Sequence, residues 1–245
     1  ERILRTPILE GMIDKYLEKL TVKHPDSLSL AVVKVIEHSR AHDTVFRYVC
    51  SKLFNKYVKS DIMGFDAVGL EIAEKYYLSG LTYWSDSTQK AKIYEWAVKL
   101  SSNLIGMDAP VMVMKNIEGE TYKALHELKS ELVVVIFWDY TCGTCKKFIN
   151  KLDSLYDHYD RSEVEVYAVY IQSELEGWRE YIKEHKLDKW LNVYDPEGNS
   201  NNYRITYNVF SSPIIYLIDK ERKIAAKKID VPQLGNIIDK LLEKE

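Results

Sequence analysis

The chain has 245 residues, 46% of them apolar and 29% charged, with a formal net charge of −3. That composition is globular rather than disordered, and a slightly acidic chain without a basic stripe argues against a nucleic-acid partner. No apolar run approaches the ~18 residues that span a bilayer, and three cysteines (Cys50, Cys142, Cys145) are too few for a disulfide scaffold.

The length favours two ordinary domains, and the first, residues 1–105, reads as all-α. Pro7 suits a first helical turn, and Ile8, Met12, Ile13, Tyr16, Leu17 and Leu20 follow at helical spacing. Pro25-Asp26-Ser27 breaks the pattern, with Asp26 or Ser27 as N-cap of a second helix through Leu30, Val33 and Ile36. Asp43-Thr44 caps a third, whose stripe is Phe46, Val49, Leu53, Phe54, Tyr57 and Val58. After a break at Asp61–Gly64, Val68, Ile72, Ala73, Tyr76 and Tyr77 mark a fourth helix that ends near Gly80. Ser85–Ser87 supply the cap of a fifth, with Ile93, Trp96, Ala97, Leu100 and Leu104 at helical spacing. Five helices on short connections predict an antiparallel bundle or small helical array.

Three features of this part invite a functional reading and have simpler accounts. Cys50 sits inside an apolar stripe, where a free cysteine is a small buried hydrophobe. His38 and His42 have the i, i+4 spacing of a metal pair. They fall at the end of one helix and the start of the next, without a third ligand, and histidine suits helix C-termini. The tyrosines, 18 in the whole chain, are expected as half-buried packing residues.

From Ile105 the pattern changes. Val111–Met114 reads as a strand, Glu118-Gly119 as a turn and Tyr122–Leu128 as a short helical piece. Leu132–Trp138 is a continuous apolar, largely β-branched run, the signature of a strand buried on both faces. It feeds into Cys142-Gly143-Thr144-Cys145, after which Phe148, Ile149, Leu152, Leu155 and Tyr156 keep helical spacing. Val164–Ile171 is the next strand, Trp178, Tyr181 and Ile182 lie on a helix, and Asp195-Pro-Glu-Gly198 is a turn. Ser211-Ser212-Pro213 precedes the strand Ile214–Ile218. Lys223–Ile229 and the helix Val231–Leu242 complete the chain. Strands alternating with helices predict a central sheet with helices on its faces.

Two cysteines at i and i+3 on a new helix lie on one face, about 4.5 Å apart along the axis, close enough for a disulfide to form and reopen. Cys142 is placed at the helix N-terminus, where unpaired N–H groups and the helix dipole favour a thiolate. It is therefore the candidate attacking thiolate, and Cys145, one turn inside, the resolving thiol. Lys146 and Lys147 read as solubilising charges.

Residues 105–245 resemble the TlpA/ResA-like branch of the thioredoxin superfamily. The resemblance is carried by Gly106…Ala109-Pro110, Phe137-Trp138, Cys142-Gly-Thr-Cys145-Lys-Lys, Asp195…Gly198, and Pro213 before an apolar strand ending in Ile218-Asp219. It implies an α/β thioredoxin-like domain over 106–245, preceded by a separate helical domain like those of unassigned role fused to such domains in bacterial envelope proteins. It further implies a cis Ser212-Pro213 peptide facing the dithiol, with Ser212, Pro213 and Thr141 contacting substrate, and no cofactor or metal beyond the redox-active cysteine pair.

The implied partners are disulfide-containing or dithiol proteins and a membrane thiol–disulfide electron donor. The helical domain is left to bind a partner or to dimerise. The implied location is periplasmic or envelope-anchored, with any signal or lipid anchor upstream of Glu1.

This chain departs from the family in three places. Thr141 stands where thioredoxins carry tryptophan, Ile136 where they bury an acid, and Phe148 where ResA-type relatives carry glutamate. Asp139 is then the nearest acid to serve Cys145, with a surface carboxylate beside the turn as the competing reading. The class of chemistry expected is thiol–disulfide exchange, with disulfide isomerisation and a non-catalytic binding scaffold as alternatives. A peroxidase is excluded, because Asp139 and Val135 occupy the positions of the peroxiredoxin threonine or serine and proline. Zinc binding by the pair lacks two further ligands.

Overall fold

The structure, a computed structural model, describes residues 4, 6–60, 62–196 and 202–243. The chain divides into two units, Glu1–Leu104 and Ile105–Glu245. In the first, among the described residues, there are five helices: α1 (Ile8–Lys19), α2 (Pro25–Ser39), α3 (Asp43–Val58) and α4 (Asp66–Ile72) supply the main core, and α5 (Ser87–Ser101) packs Ile93 and Trp96 against it while Ala97 and Leu100 cluster with Leu70. Glu10, Asp14 and Glu18 of α1 meet Lys52 and Lys56 of α3 in ion pairs, while Ile13 and Leu17 turn inward.

Two helix starts differ from the sequence expectation. α2 begins at Pro25 itself, with His24 as N-cap, because proline's fixed φ and missing N–H suit the first helical position. Asp43 is likewise the first residue of α3, behind His42. The α5 cap is Asp86, whose carboxylate accepts the Gln89 N–H at 2.7 Å. α4 runs on as a π-helical stretch, Ala73–Leu78, which turns Ala73, Tyr76 and Tyr77 into the core and ends at Gly80 (φ +87°). Of the expected break at Asp61–Gly64, Asp61 lies outside the described residues.

The second unit is built on a mixed sheet of seven strands among the described residues. These are β1 (Val113–Asn116), β2 (Tyr122–Ala124), β3 (Leu132–Trp138), β4 (Val164–Tyr170), β5 (Leu191–Tyr194), β6 (Ile214–Ile218) and β7 (Ile224–Lys227), in the order β2-β1-β5-β4-β3-β6-β7. β3 pairs parallel with β4 on one side and antiparallel with β6 on the other. All seven of its residues are buried. Leu132, Val134, Ile136 and Trp138 face the core shared with α6 (Gly143–Tyr156), α7 (Glu176–Glu184) and α9 (Val231–Leu241). Val133, Val135 and Phe137 face the opposite core, where Phe137 stacks on Tyr203 of the short α8 (Tyr203–Thr206). Period-two alternation between two dry faces is why the run is apolar throughout.

Tyr122–Leu128 is not a helical piece. Asn116 Oδ1 accepts the N–H groups of Glu120 and Thr121, and Gly119 takes φ +76°, so the chain turns back as β2 and pairs with β1. Only Leu125–Glu127 forms a single 3-10 turn. The first strand starts two residues later than the sequence pattern suggests, and β5 is a strand that the pattern does not mark. Of the Asp195–Gly198 turn, Glu197 and Gly198 lie outside the described residues.

Candidate functional site

β3 ends at a buried Trp138, and five residues later, at Gly143, the chain starts α6. Asp139 C=O accepts the Cys142 N–H at 3.2 Å, closing the connecting turn. Cys142 is the N-cap of α6, and its sulfur accepts the Cys145 N–H at 3.4 Å, the role an oxygen plays in an ordinary cap. The Cys142 thiol also points at the Ser212 carbonyl, 3.9 Å away.

These contacts separate the two thiols electrostatically. The Cys145 N–H, followed by the Cys145 thiol, the Thr144 N–H and the Ser212 side chain, holds the half-exposed Cys142 thiol below its ordinary value despite some burial. Cys145 is 0% exposed, and burial pushes its thiol up to about 11 although Ser212 and the Asp139 N–H favour its thiolate. One sulfur is thus poised as a nucleophile, and the other keeps its proton until a neighbour draws it in.

Ser212-Pro213 is a cis peptide beside the dithiol, leading into β6. Thr141 is exposed, and its N–H and hydroxyl both donate to Asp139 Oδ1 at 2.8 Å. Cys142, Cys145, Thr141, Ser212 and Pro213 are therefore gathered at the C-terminal end of β3 and the adjoining start of β6.

Comparison with known proteins agrees with this geometry. A family model described as thioredoxin-like matches residues 130–224. The thiol-disulfide oxidoreductase ResA of Bacillus cereus is 29% identical over 127 residues, covering 51% of this chain and 69% of that protein. A solved domain of a possible thiol-disulfide isomerase from Cytophaga hutchinsonii is 31% identical, covers 57% of this chain and 94% of its own, and gives a TM-score of 0.52. The chain belongs to the ResA/TlpA-like thioredoxin-fold proteins. A thioredoxin-like protein from Bacteroides caccae adds a likeness of fold alone, at 18% identity and TM-score 0.73 over 94% of this chain and 83% of that one. At the level of class, this ResA/TlpA-like protein is a thiol–disulfide oxidoreductase.

At the two positions where the resemblance leads one to expect an acid, Ile136 lies in the apolar core and the partly buried Phe148 packs against it. Asp139 is not a surface carboxylate: it is 8% exposed, and its second oxygen accepts from Gln172 Nε2 at 3.2 Å. Tyr140 donates to Glu174 Oε2 at 2.5 Å, and Glu174 Oε1 accepts the N–H groups of Glu176 and Gly177 at the start of α7. A Cβ at Gly177 would fall on the Tyr140 hydroxyl, so glycine there leaves room for the contact. Gln172, Glu174 and Gly177 carry no sequence signal near the dithiol, because they come from the segment after β4, some thirty residues on.

Lys146 lies over the Tyr181 ring, 5.6 Å from its centroid, rather than against either sulfur. Among the described residues, no group of three or more His, Cys, Asp or Glu side chains could hold a metal ion. His38 Nδ1 lies 2.7 Å from the Lys34 carbonyl at the end of α2.

Proposed function

We propose that this protein reduces disulfides of exported proteins through Cys142 and Cys145. The observation that carries the reading is the split between a half-exposed thiol lowered by helix N–H groups and a buried thiol raised to about 11, one turn apart. Cys142 thiolate attacks one sulfur of a substrate disulfide. A Cys142–substrate bond forms, and the other substrate sulfur leaves as a thiolate that takes up a proton. Cys145 then gives up its proton and attacks the Cys142 sulfur, releasing the second substrate thiolate and leaving a Cys142–Cys145 disulfide. Two electrons pass to the substrate, carried by the cysteine pair with no other cofactor.

A substrate chain laid along the backbone at Ser212-Pro213, beside Thr141, brings its disulfide to the exposed sulfur. Regeneration calls for a dithiol donor, and an envelope location calls for one that passes electrons across the membrane. No helix among the described residues is long and apolar enough to cross a membrane.

The direct test is a disulfide-reduction assay comparing wild type with Cys142→Ser, together with the reduction potential of the pair. A potential near the thioredoxin value of about −270 mV fits a reductant, and one near about −120 mV fits an oxidant and overturns the direction proposed. Equal turnover in wild type and Cys142→Ser sinks the mechanism itself.

A further inference from the structure

We propose that Asp139 is the positioning residue of the dithiol turn, holding both cysteines in the geometry that exchange requires; this builds on the reading of Cys142 and Cys145 as the exchanging pair. Asp139 is the first residue beyond β3, anchored behind Trp138, which is completely buried. Three of its groups engage the turn. Its carbonyl accepts the Cys142 N–H at 3.2 Å. Its Oδ1 accepts both the N–H and the hydroxyl of Thr141 at 2.8 Å, an Asx-type turn that fixes the residue before the nucleophile. Its own N–H favours the Cys145 thiolate, a smaller effect than the burial that opposes it. The remaining oxygen, Oδ2, is clamped by Gln172 Nε2 at 3.2 Å, which ties the turn to the end of the neighbouring strand.

The consequence for Cys142 follows from geometry. Its sulfur caps α6 only while Cys142 keeps an extended φ of −78° and ψ of 117°, with the sulfur over the Cys145 N–H. The carboxylate at Asp139 fixes the segment that sets those angles. Without it, the 139–142 turn has one hydrogen bond from Asp139 C=O in place of three, and the cap contact that favours the thiolate loosens. The same bonds argue against Asp139 as proton acceptor for Cys145. Both carboxylate oxygens already hold donors, and the group facing Cys145 is the backbone N–H, which gives a hydrogen bond and cannot take a proton.

Positioning and proton acceptance predict opposite behaviour for Asp139→Asn. The asparagine oxygen still accepts from Thr141, and Gln172 can turn its amide to offer Oε1 to the new NH₂. A proton acceptor would be lost. The experiment measures the alkylation rate of Cys142 by iodoacetamide at pH 7 and the thiolate absorbance at 240 nm against pH, in the reduced full chain. Cys142→Ser identifies the signal, and failure of the exchange reading would show as no Cys142-dependent signal in wild type.

Asp139→Ala is expected to slow alkylation about tenfold, the scale of one hydrogen bond to a charged group expressed as a rate, and to move the thiolate midpoint upward. Asp139→Asn should return both to within about twofold of wild type, since it restores the bonds without the charge. Gln172→Ala and Thr141→Val, each deleting one contact at an exposed residue, keep the test open should Asp139→Ala fail to fold; both are expected to shift the midpoint in the same direction by less. The proposal is overturned if Asp139→Ala titrates and reacts like wild type. It is equally overturned if Asp139→Asn is as impaired as Asp139→Ala, or if Gln172→Ala and Thr141→Val both leave the midpoint where it was.

Discussion

Each unit of this protein buries a cysteine completely, and the two have different uses. Cys50 lies in the core of the helical unit and Cys145 in the sheet core, both 0% exposed. Burial pushes both thiols up, Cys50 to about 12 and Cys145 to about 11. What differs is the company. Cys50 has Tyr77 beside it, also pushed up to about 12 by burial, and it is the one cysteine in the sequence of its unit. Cys145 has a second sulfur one turn earlier, at the helix N-terminus and open to solvent. A buried thiol thus becomes a redox group through its neighbour, not through its own environment.

The sharpest way to break that comparison is to remove each sulfur in turn. Cys142→Ser should lower disulfide reduction by about three orders of magnitude, because a remaining thiol at about 11 is only ~0.01% ionised at pH 7. Cys145→Ser should also stop turnover but by another route: the first attack still occurs, and a mixed disulfide with substrate accumulates, visible as a mass adduct. Cys50→Ser should leave turnover at the wild-type level, and a loss of activity there would overturn the division of roles.

A smaller effect separates the three thiols without mutation. Cys142 titrates below the ordinary 9.0, and Cys145 at about 11. Alkylation of the reduced protein should therefore rise with pH as Cys142 loses its proton and level off above a midpoint below 9.0. At pH 7 Cys142 should react more than about a hundredfold faster than Cys145 or Cys50. Peptide mass mapping of the first alkylated site reads this directly.

Stability effects come next. Cys50→Ser places a hydroxyl in the apolar core and should cost about 1–3 kcal/mol, seen as an earlier urea midpoint for the helical unit. Cys142→Ser, at a half-exposed cap, should cost less, since serine is itself a good N-cap residue. The smallest change expected is Gly177→Ala, which pushes the Tyr140 hydroxyl off Glu174 and should cost about 1 kcal/mol, one hydrogen bond, in thermal or urea unfolding.

Much of this protein is written locally. Leu132–Trp138 was legible as a doubly buried strand because seven apolar residues in a row suit no other position in a sheet protein. The dithiol at a helix start was legible because spacing alone puts Cys142 and Cys145 on one face. The helical unit followed from 3.6-residue periodicity, and the errors there fell at helix starts, where Pro25 serves equally as a breaker and as a first residue. The resemblance also supplied the cis geometry of Ser212-Pro213, for which the residues themselves offer no signal.

The rest required the chain to fold back on itself. Tyr122–Ala124 is a strand because β1 is there to pair with it, and Leu191–Tyr194 is one because β4 and β1 flank it; four residues that include a buried Asn192 carry too little pattern alone. In the sequence Asp139 reads either as the nearest acid to serve Cys145 or as a surface carboxylate beside the active turn. Its burial, its grip on Thr141 and its clamp by Gln172 depend on the ends of β3 and β4 lying side by side. Sequence determined that two sulfurs would meet at the end of a strand. Tertiary structure decided which one is ionised and what holds it there, since burial and long-range hydrogen bonds set a thiol's proton affinity and neither is a property of spacing.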